Sequence, residues 1–358
     1  MSKKVLFVRM SYMGDILHAT PAARMIKQAH PDWELTWIVT PSLVDMLKEN
    51  PYVDQVITWE RDAYEAHSKK LHVRTMWTMW WELYQRLRSM HFDIAVDVQG
   101  RLITGLVLAA SGAPLRLGMG GTKELNWLFT NQKTSGTYGH VIERYNQVAQ
   151  LLAPGVAASN RMILNLTNEE KSWAREVLQV ASNKSLGKYR GKKPIIALVP
   201  GTSWPSKEWP LDHWTELAQR LSLVANIVYI GGGRERSAAD QLPHSDSVYD
   251  WVGRTTLRET AALINQSDLV VSGDTGALHM ASALQRPIVA LFGPTDPRLW
   301  GPLNENAVTL VAETVSCRVC RKRKCPKKHG NCMQAITVDR VEQTVYQQLK
   351  AISEASKL

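Results

Sequence analysis

Short apolar runs alternate with helix-like patterns along most of the chain. In the first half, runs of four to seven mainly apolar residues are separated by stretches in which apolar residues recur every three or four positions. This alternation predicts a parallel, doubly wound α/β sheet. The predicted strands cover 4–10, 33–39, 55–59 and 93–98, and the predicted helices cover 16–29, 41–49, 101–110 and 140–152.

The same alternation restarts after a polar, basic stretch at 181–193, which has no apolar periodicity and is typical of an interdomain linker. We therefore expect two Rossmann-like domains, one over 1–183 and one over 184–337. A final helix within 338–358 is expected to pack back on the first domain. The predicted strands of the second half cover 193–199, 227–230, 269–271 and 287–292, and the predicted helices cover 211–223, 256–265 and 277–284.

Three tryptophans, Trp77, Trp80 and Trp81, have spacings that place their rings on one face of a predicted helix. The favoured interpretation is a core face that packs on the sheet. The alternative is an amphipathic surface that contacts lipid or an acceptor, because basic residues precede it in the sequence.

Three polar loops follow predicted strands of the second half, at 200–207, 231–235 and 272–279. Open α/β sheets bind ligands at the carboxyl ends of their strands, and the helix after Thr275 presents N–H groups that suit a phosphate. Lys207 could neutralise such a phosphate as a point charge. Either Asp274 or Thr275 could instead cap the helix, and His279 would lie on the same side one turn later.

The corresponding loop of the first half, residues 11–15, ends with Asp15 at the start of a predicted helix. Capping alone would account for a carboxylate there. A carboxylate at the ligand edge of the sheet could also act as a general base toward an acceptor hydroxyl.

Charge and composition narrow the class of protein. The chain has 358 residues, 44% of them hydrophobic, and a net charge of +10. The length suits two domains, and no apolar run approaches the ~20 residues that span a bilayer. The N-terminal residues enter a strand directly, without the pattern of a signal peptide, so we expect a cytoplasmic protein. The positive charge, concentrated in 318–328, favours an anionic partner.

All four cysteines, Cys317, Cys320, Cys325 and Cys332, lie within sixteen residues in the spacing C-x2-C-x4-C-x6-C. In a reducing compartment this spacing leaves three states open: a structural site for Zn or Fe, reduced thiols, or an oxidised pair.

Four motifs together resemble the bacterial ADP-heptose:lipopolysaccharide heptosyltransferases, glycosyltransferase family 9, with heptosyltransferase II- and III-like members most similar in appearance. They are VRMSYMGDILHATPAARMIKQAHP at 8–31, VDVQGRLITGLV at 96–107, PGTSWPSKEWPLDHW at 200–214 and SGDTGALHMASALQRPIVALFGPTDP at 272–297. The stretch CRVCRKRKCPKKHGNCM at 317–333 resembles one found in only a subset of the family.

The resemblance implies a GT-B fold, in which two Rossmann-like domains face each other across a cleft. It implies inverting transfer of L-glycero-D-manno-heptose from ADP-heptose to an inner-core sugar, with no metal or other cofactor required. Asp15 matches the catalytic base, and Lys207 stabilises charge on the leaving ADP. The donor-binding residues implied are Met13, Gly14, Thr202, Ser203, Lys207, Thr255, Leu257, Asp274, Thr275, Gly276 and His279.

The implied acceptor is the anionic lipopolysaccharide inner core of Kdo and heptose, which suggests peripheral contact with the inner membrane surface. The basic residues expected to bind it are Arg61, Arg101, Lys123 and Arg144.

Other functions are less well supported by the motifs. A nucleotide-sugar 2-epimerase would need further acid and base groups, and a NAD-dependent enzyme would need a GxGxxG turn that neither half contains. We expect no nucleic-acid partner, although a binding protein that uses the 318–328 cluster, or a catalytically inactive GT-B protein, stays as an alternative. A heptosyltransferase with a protein or other glycan acceptor also stays open.

Overall fold

The computed structural model of this protein describes residues 2–122, 124–136, 138–184, 193–327 and 332–355. The chain divides into two compact units, Met1–Leu164 and Asn165–Leu358. Among the sequence-based predictions, Lys123, Lys328 and most of the expected linker lie outside the described residues.

The first unit is a sheet of six parallel strands with helices packed against it. The strands are β1 (Lys4–Val8), β2 (Glu34–Val39), β3 (Gln55–Thr58), β4 (Ile94–Asp97), β5 (Leu115–Gly118) and β6 (Gln132–Lys133). The α-helices are α1 (Met13–Ala29), α2 (Arg61–Lys69), α3 (Val73–Ser89), α4 (Leu102–Ser111) and α5 (Val141–Gln150). The strand order is β3-β2-β1-β4-β5-β6.

The second unit repeats this plan with its own six parallel strands. They are β7 (Ile195–Val199), β8 (Asn226–Tyr229), β9 (Val248–Asp250), β10 (Leu269–Gly273), β11 (Ile288–Phe292) and β12 (Ala307–Val311). The helices are α6 (Asn168–Lys184), α7 (Leu211–Ser222), α8 (Arg236–Ala239), α9 (Leu257–Gln266), α10 (Gly276–Ala283), α11 (Pro297–Trp300) and α12 (Val338–Ala355). The order is β12-β11-β10-β7-β8-β9.

The central strands of both sheets are apolar because helices cover both faces. Every residue of β7, β10 and β11 is buried, as expected for parallel strands that are covered on two sides. In each sheet the strand order reverses beside the first strand of the unit, between β1 and β4 and between β7 and β10. Doubly wound sheets bind ligands outside the carboxyl ends of such strands. The residues that follow β1, β7 and β10 therefore lie where a site is expected.

The division between the units differs from the expected one. We predicted a boundary after residue 183, but α6 packs against α9 as part of the second unit. The Nε atom of Arg258 donates a 2.7 Å hydrogen bond to Glu170, and this buried ion pair fixes α6 there. A boundary before α6 was not visible in the sequence, because an amphipathic helix fits either neighbour.

The C-terminal helix also differs from the expectation that it packs on the first domain. Val341 and Val345 of α12 are buried in the core of the second unit, and α12 packs against α7. Outside this core, Arg220 of α7 pairs with Asp339 and Glu342 of α12. An apolar stripe and a three-residue charge cluster therefore hold α12 on its own unit.

The favoured core interpretation of the tryptophan helix is wrong for two of its three rings. Trp77 and Trp81 are 65% and 45% exposed, whereas Trp80 packs against Trp59. The buried stripe of α3 continues from Trp80 through Leu83 and Leu87, so residues 77 and 81 face away from it. In the part of the chain that the structure describes, no helix is long and apolar enough to cross a membrane.

Candidate functional site

Asp15 lies in the first turn of α1, which begins at Met13, three residues earlier than predicted. Met13 and Gly14 therefore form the start of the helix and not a loop. The preceding residue, Tyr12, has φ of 65°, a conformation that a residue with a Cβ rarely adopts. This tight entry directs the helix N-terminus, and Asp15 with it, to the carboxyl edge of β1.

A buried arginine holds the Asp15 carboxylate. Arg9, at the end of β1, forms an ion pair with Asp15 and is itself 5% exposed. The Tyr145 hydroxyl donates to Oδ1 of Asp15 at 3.4 Å, and His18 Nδ1 lies 3.9 Å from the same oxygen. Burial acts to lower the pKa of Arg9, but nearby Asp15, Tyr145 and Asp97 outweigh it and raise that pKa. The Asp15 side chain stays 24% exposed, so it is accessible to a substrate.

A second buried carboxylate, Asp97, organises the VDVQGR motif. Its oxygens accept hydrogen bonds from the N–H groups of Gln99 and Gly100 and from the side chains of Thr104 and Asn126, the last two at 2.6 and 2.7 Å. Burial raises the pKa of Asp97, although these bonds act in the opposite direction. The motif is therefore structural at Asp97 and shapes the loop that leads into α4.

In the second unit, Lys207 and Asp274 form an ion pair at the carboxyl edge of the sheet. Lys207 ends a short 3₁₀ turn, Pro205–Lys207, and its Nζ lies 2.6 Å from Oδ2 of Asp274. The strands that precede the two residues, β7 and β10, are neighbours in the sheet, which explains why they meet. The Lys207 ammonium also lies 4.6 Å from the centroid of the Trp204 ring.

The surroundings of Asp274 keep it ionised. Burial acts to raise its pKa, but the nearby His279 ring and the charge of Lys207 hold the pKa of Asp274 well below its usual range. The Thr295 hydroxyl donates to Oδ2 at 2.7 Å, and His279 Nε2 lies 3.7 Å from Oδ1.

The capping residue of α10 is Thr275, whose hydroxyl accepts from the N–H of Leu278. Asp274, one of the two expected candidates, is therefore not the cap. The first N–H groups of the helix, beginning at Gly276, have no partner within the helix, and the dipole favours an anion there. Lys207 and this helix start therefore bring positive charge to the same edge of the sheet.

The other predicted donor residues lie in the loops at the same edge. Trp204 N–H donates to Thr202 Oγ1 at 3.0 Å, and Ser203 is exposed beside it. Thr255 lies just before α9 and shares a 2.8 Å hydrogen bond with Thr260, while Leu257 begins that helix.

The predicted acceptor residues are not equivalent. Arg101 is 48% exposed and pairs with Glu124, and Arg144 donates to the carbonyl of Gly120 at 3.1 Å, so both contact residues that closely follow β5. Arg61 is buried and paired with Glu65, which leaves its guanidinium unavailable for an acceptor in this conformation. Lys123 lies outside the described residues.

The four cysteine side chains are thiols, and Cys332 is the buried member of the group. Burial, and then the proximity of Cys320, Cys325 and Cys317, raise the pKa of Cys332 to about 11. Within the described ranges, no three side chains of the metal-binding types lie in an arrangement that could hold a metal ion. A metal at this cluster stays a prediction.

Sequence reasoning missed several residues of these sites, among them Arg9 and Tyr145 beside Asp15, and Thr295 beside Asp274. Arg9 had a local signal, because a charged residue at the end of an apolar strand faces the ligand edge of a sheet. Tyr145 had none, since it is 130 residues from its partner. Thr295 also had a local signal, because it follows β11 in a polar loop at the same edge.

Solved structures have the same fold as this chain. A glycosyltransferase of family 9 from Veillonella parvula matches with a TM-score of 0.77 and 20% identity, covering 98% of this chain and 97% of the other. An Escherichia coli heptosyltransferase solved with ADP matches with a TM-score of 0.73 and 23% identity, covering 96% and 99%. The chain thus has the GT-B fold, as predicted.

The sequence comparison specifies the family. The model of glycosyltransferase family 9 (heptosyltransferase) matches residues 80–330, and the chain belongs to that family. Lipopolysaccharide heptosyltransferase 1 of Pseudomonas aeruginosa is 27% identical over 329 residues, covering 90% of this chain and 87% of the relative. The resemblance drawn from the four motifs is confirmed.

Proposed function

We propose that this glycosyltransferase moves L-glycero-D-manno-heptose from ADP-heptose to an inner-core sugar of lipopolysaccharide, with inversion at the anomeric carbon. The observation that carries the proposal is the Lys207–Asp274 pair at the start of α10, where a cation and the positive end of a helix dipole suit a nucleoside diphosphate. The names of similar proteins, which include ADP-bound heptosyltransferases and lipopolysaccharide heptosyltransferases, support the donor and the acceptor.

In the proposed reaction, the acceptor hydroxyl oxygen forms a bond to the anomeric carbon while the bond from that carbon to the β-phosphate oxygen of ADP breaks. Asp15 accepts the hydroxyl proton, and ADP leaves with the bonding electrons. Lys207 and the N–H groups of α10 face the charge that develops on ADP, and such preorganised groups are often the largest catalytic contribution. Asp274 holds the Lys207 ammonium in place, and Asp274 and His279 together bind hydroxyls of the transferred sugar.

Identifying the acceptor distinguishes the proposed function from the two alternatives, which are transfer to a protein or another glycan and the absence of transfer. An assay of ADP release, with ADP-heptose and a panel of truncated lipopolysaccharide cores, should show turnover with one inner-core structure. Turnover only with a protein or another glycan would replace the acceptor and keep the enzyme class. Binding of ADP-heptose with no turnover on any acceptor would favour an inactive GT-B protein.

Metal should not take part in transfer. The transfer rate is expected to be the same with Mg²⁺, with Mn²⁺ and with EDTA, because Lys207 and α10 supply the positive charge that a cation would otherwise provide. A rate that depends on either ion would contradict this prediction. Mg²⁺ prefers oxygen ligands to thiolates, whereas EDTA also binds zinc and iron and would remove either from the cysteine cluster. The comparison of added Mg²⁺ or Mn²⁺ with buffer that contains neither metal nor EDTA is therefore the decisive one for transfer. Elemental analysis for zinc and iron, on protein purified without added metal, tests the cluster separately.

The exposed face of α3 supports peripheral contact with the inner membrane surface. Leu71, Val73 and Trp77 are each more than 60% exposed, and Trp77 stacks on Trp81 with ring centroids 6.1 Å apart. Aromatic rings of this kind suit the interface of a bilayer. Between Glu65 and Glu82 the sequence contains Lys69, Lys70 and Arg74 and no acidic residue, which favours an anionic surface.

Replacing both Trp77 and Trp81 with serine should lower binding to phosphatidylglycerol vesicles by about tenfold or more. Each replacement removes an aromatic ring, and with it apolar area that the membrane would otherwise bury. Co-sedimentation with vesicles measures this effect. Leu223→Ser is the matched control, since Leu223 is an exposed apolar residue of the second unit. Equal binding by the tryptophan variant and the control would exclude this face as the lipid contact.

A further inference from the structure

The cysteine segment, defined here as residues 317–327, contacts two loops at the carboxyl edge of the second sheet. Val319 N–H donates to the carbonyl of Gly293 at 3.2 Å, and Arg321 N–H donates to that of Pro294 at 2.8 Å. On the other side, the N–H and the hydroxyl of Ser206 donate to carbonyls of the same segment. One segment therefore joins the loop after β11 to the turn after β7.

Both loops carry residues of the candidate donor site. The turn contains Lys207 directly after Ser206, and the loop after β11 contains Thr295, which donates to Asp274. Lys207 and Asp274 form the ion pair described above. The segment thus contacts the backbone on either side of this pair without contributing a side chain to it.

The backbone of the segment is fixed in a conformation that needs support. Val319 and Arg321 have φ of 66° and 54°, in the left-handed region that is costly for residues with a Cβ and most of all for a β-branched one. Such residues persist only where the surroundings hold them. Their own N–H groups make the two bonds to Gly293 and Pro294, and the Arg321 guanidinium lies 4.8 Å from the Trp300 ring centroid.

Ser206 is the point at which this fixed segment meets the Lys207 turn. Its side chain is 3% exposed, and its hydroxyl donates to the carbonyl of Lys322 at 2.6 Å. The Ser206 N–H donates to the carbonyl of Arg323 at 3.3 Å. Because Lys207 is the next residue, a shift of these bonds moves the ammonium relative to α10.

We infer that Ser206 is a positioning residue for donor binding: through the carbonyls of Lys322 and Arg323, the cysteine segment sets where Lys207 meets the diphosphate of the nucleotide. This inference rests on the proposed function, because it takes Lys207 as the contact of the donor phosphates. It assigns to the cysteine segment a role in nucleotide affinity and in placing the charge that faces the leaving ADP, and not in acceptor specificity.

The test is the affinity of Ser206→Ala for ADP, measured by calorimetry on the full chain. We expect the dissociation constant to rise about tenfold, because without this buried hydrogen bond the Lys207 turn is no longer held where the ammonium meets the diphosphate. In transfer assays, the KM for ADP-heptose should rise while the KM for the acceptor stays unchanged. Ser206→Thr, which retains the hydroxyl, should restore most of the affinity.

Ser267→Ala is the matched control. Ser267 is fully buried and its hydroxyl also donates to a carbonyl, that of Leu263 at 2.9 Å, but it precedes β10 at the opposite edge of the sheet. The control should lose thermal stability as Ser206→Ala does and should bind ADP normally.

A double variant separates positioning from general destabilisation. If Ser206 acts through Lys207, then Ser206→Ala should cause no further loss of ADP affinity in a Lys207→Met background. Equal, additive losses in both backgrounds, or unchanged affinity in Ser206→Ala, would overturn the inference. Absence of ADP binding by the unmodified protein would instead contradict the proposed function.

Discussion

Replacing Asp15 with asparagine should lower the transfer rate by about 10²–10⁴-fold, the usual contribution of a general base, while ADP-heptose still binds. Asparagine retains an oxygen that can accept from Arg9 and Tyr145, so the local structure should persist. An amide cannot take up the proton of the acceptor hydroxyl at neutral pH, and the chemical step should therefore fail. Single-turnover rates and calorimetric donor affinity measure the two effects separately.

Asp15→Ala should give the same kinetic loss with an added cost in stability. Alanine leaves the buried Arg9 guanidinium without its carboxylate, and breaking a buried pair costs about 3–5 kcal/mol. Asp32→Asn is the matched control, since Asp32 is an exposed aspartate of the same unit. A loss of ADP-heptose binding as large as the loss of rate, or a rate within tenfold of the unmodified protein, would contradict the assignment of Asp15 as base.

The position of Asp15 could be predicted because the signals for it are local. A strand period, a short polar loop and a helix start are enough to place it at the ligand edge of the sheet. Its pairing could not be predicted in the same way. Arg9 lies at the end of the preceding strand and Tyr145 in a helix 130 residues later, and only the packing of α5 on α1 brings the tyrosine to the carboxylate.

The second unit shows the same limit. Turn chemistry and helix periodicity predicted β10, the Thr275 turn and α10, and the cap is one of the two residues expected. The partner of Asp274 depends instead on the strand order, because β7 lies beside β10 and so brings Lys207 to it. Strand order is a property of the whole sheet, and no single stretch of sequence contains it.

Elements with an apolar stripe were the hardest to place. The final helix and α6 each have a stripe that fits any apolar partner, and the sequence does not specify which core receives it. In α3, the buried stripe consists mainly of leucines, and only one of the three tryptophans belongs to it. The positions of the three tryptophans predicted the buried face of α3 less well than the apolar period that runs from Trp80 through Leu83 to Leu87.

The second large effect is expected at Lys207. Lys207→Met should lower kcat by about 10²–10³-fold, the usual cost of removing one group that stabilises charge in the transition state, and should also weaken ADP binding. Lys207→Arg retains the positive charge and should lose less, although its planar guanidinium cannot reproduce the 2.6 Å contact with Asp274.

The Lys207→Met variant should also differ from the unmodified protein in how its free energy of unfolding depends on pH, because Asp274 is ionised beside Lys207. The lowered pKa of Asp274 contributes stability that is present above the unfolded pKa of about 3.9 and is lost as the pH falls through the folded pKa. Removing the Lys207 ammonium removes much of that contribution. The difference in unfolding free energy between the unmodified protein and Lys207→Met should therefore be large at pH 7 and should shrink as the pH falls below about 4.

A second substitution separates the structural role of Lys207 from its role in transfer. Lys207→Met combined with Asp274→Asn removes both charges, and replacing a buried pair by neutral groups is often close to neutral for stability. The double variant should regain most of the stability lost in Lys207→Met, yet transfer should stay as low, because no cation faces the leaving ADP. If transfer returned together with stability, Lys207 would be needed only to neutralise Asp274.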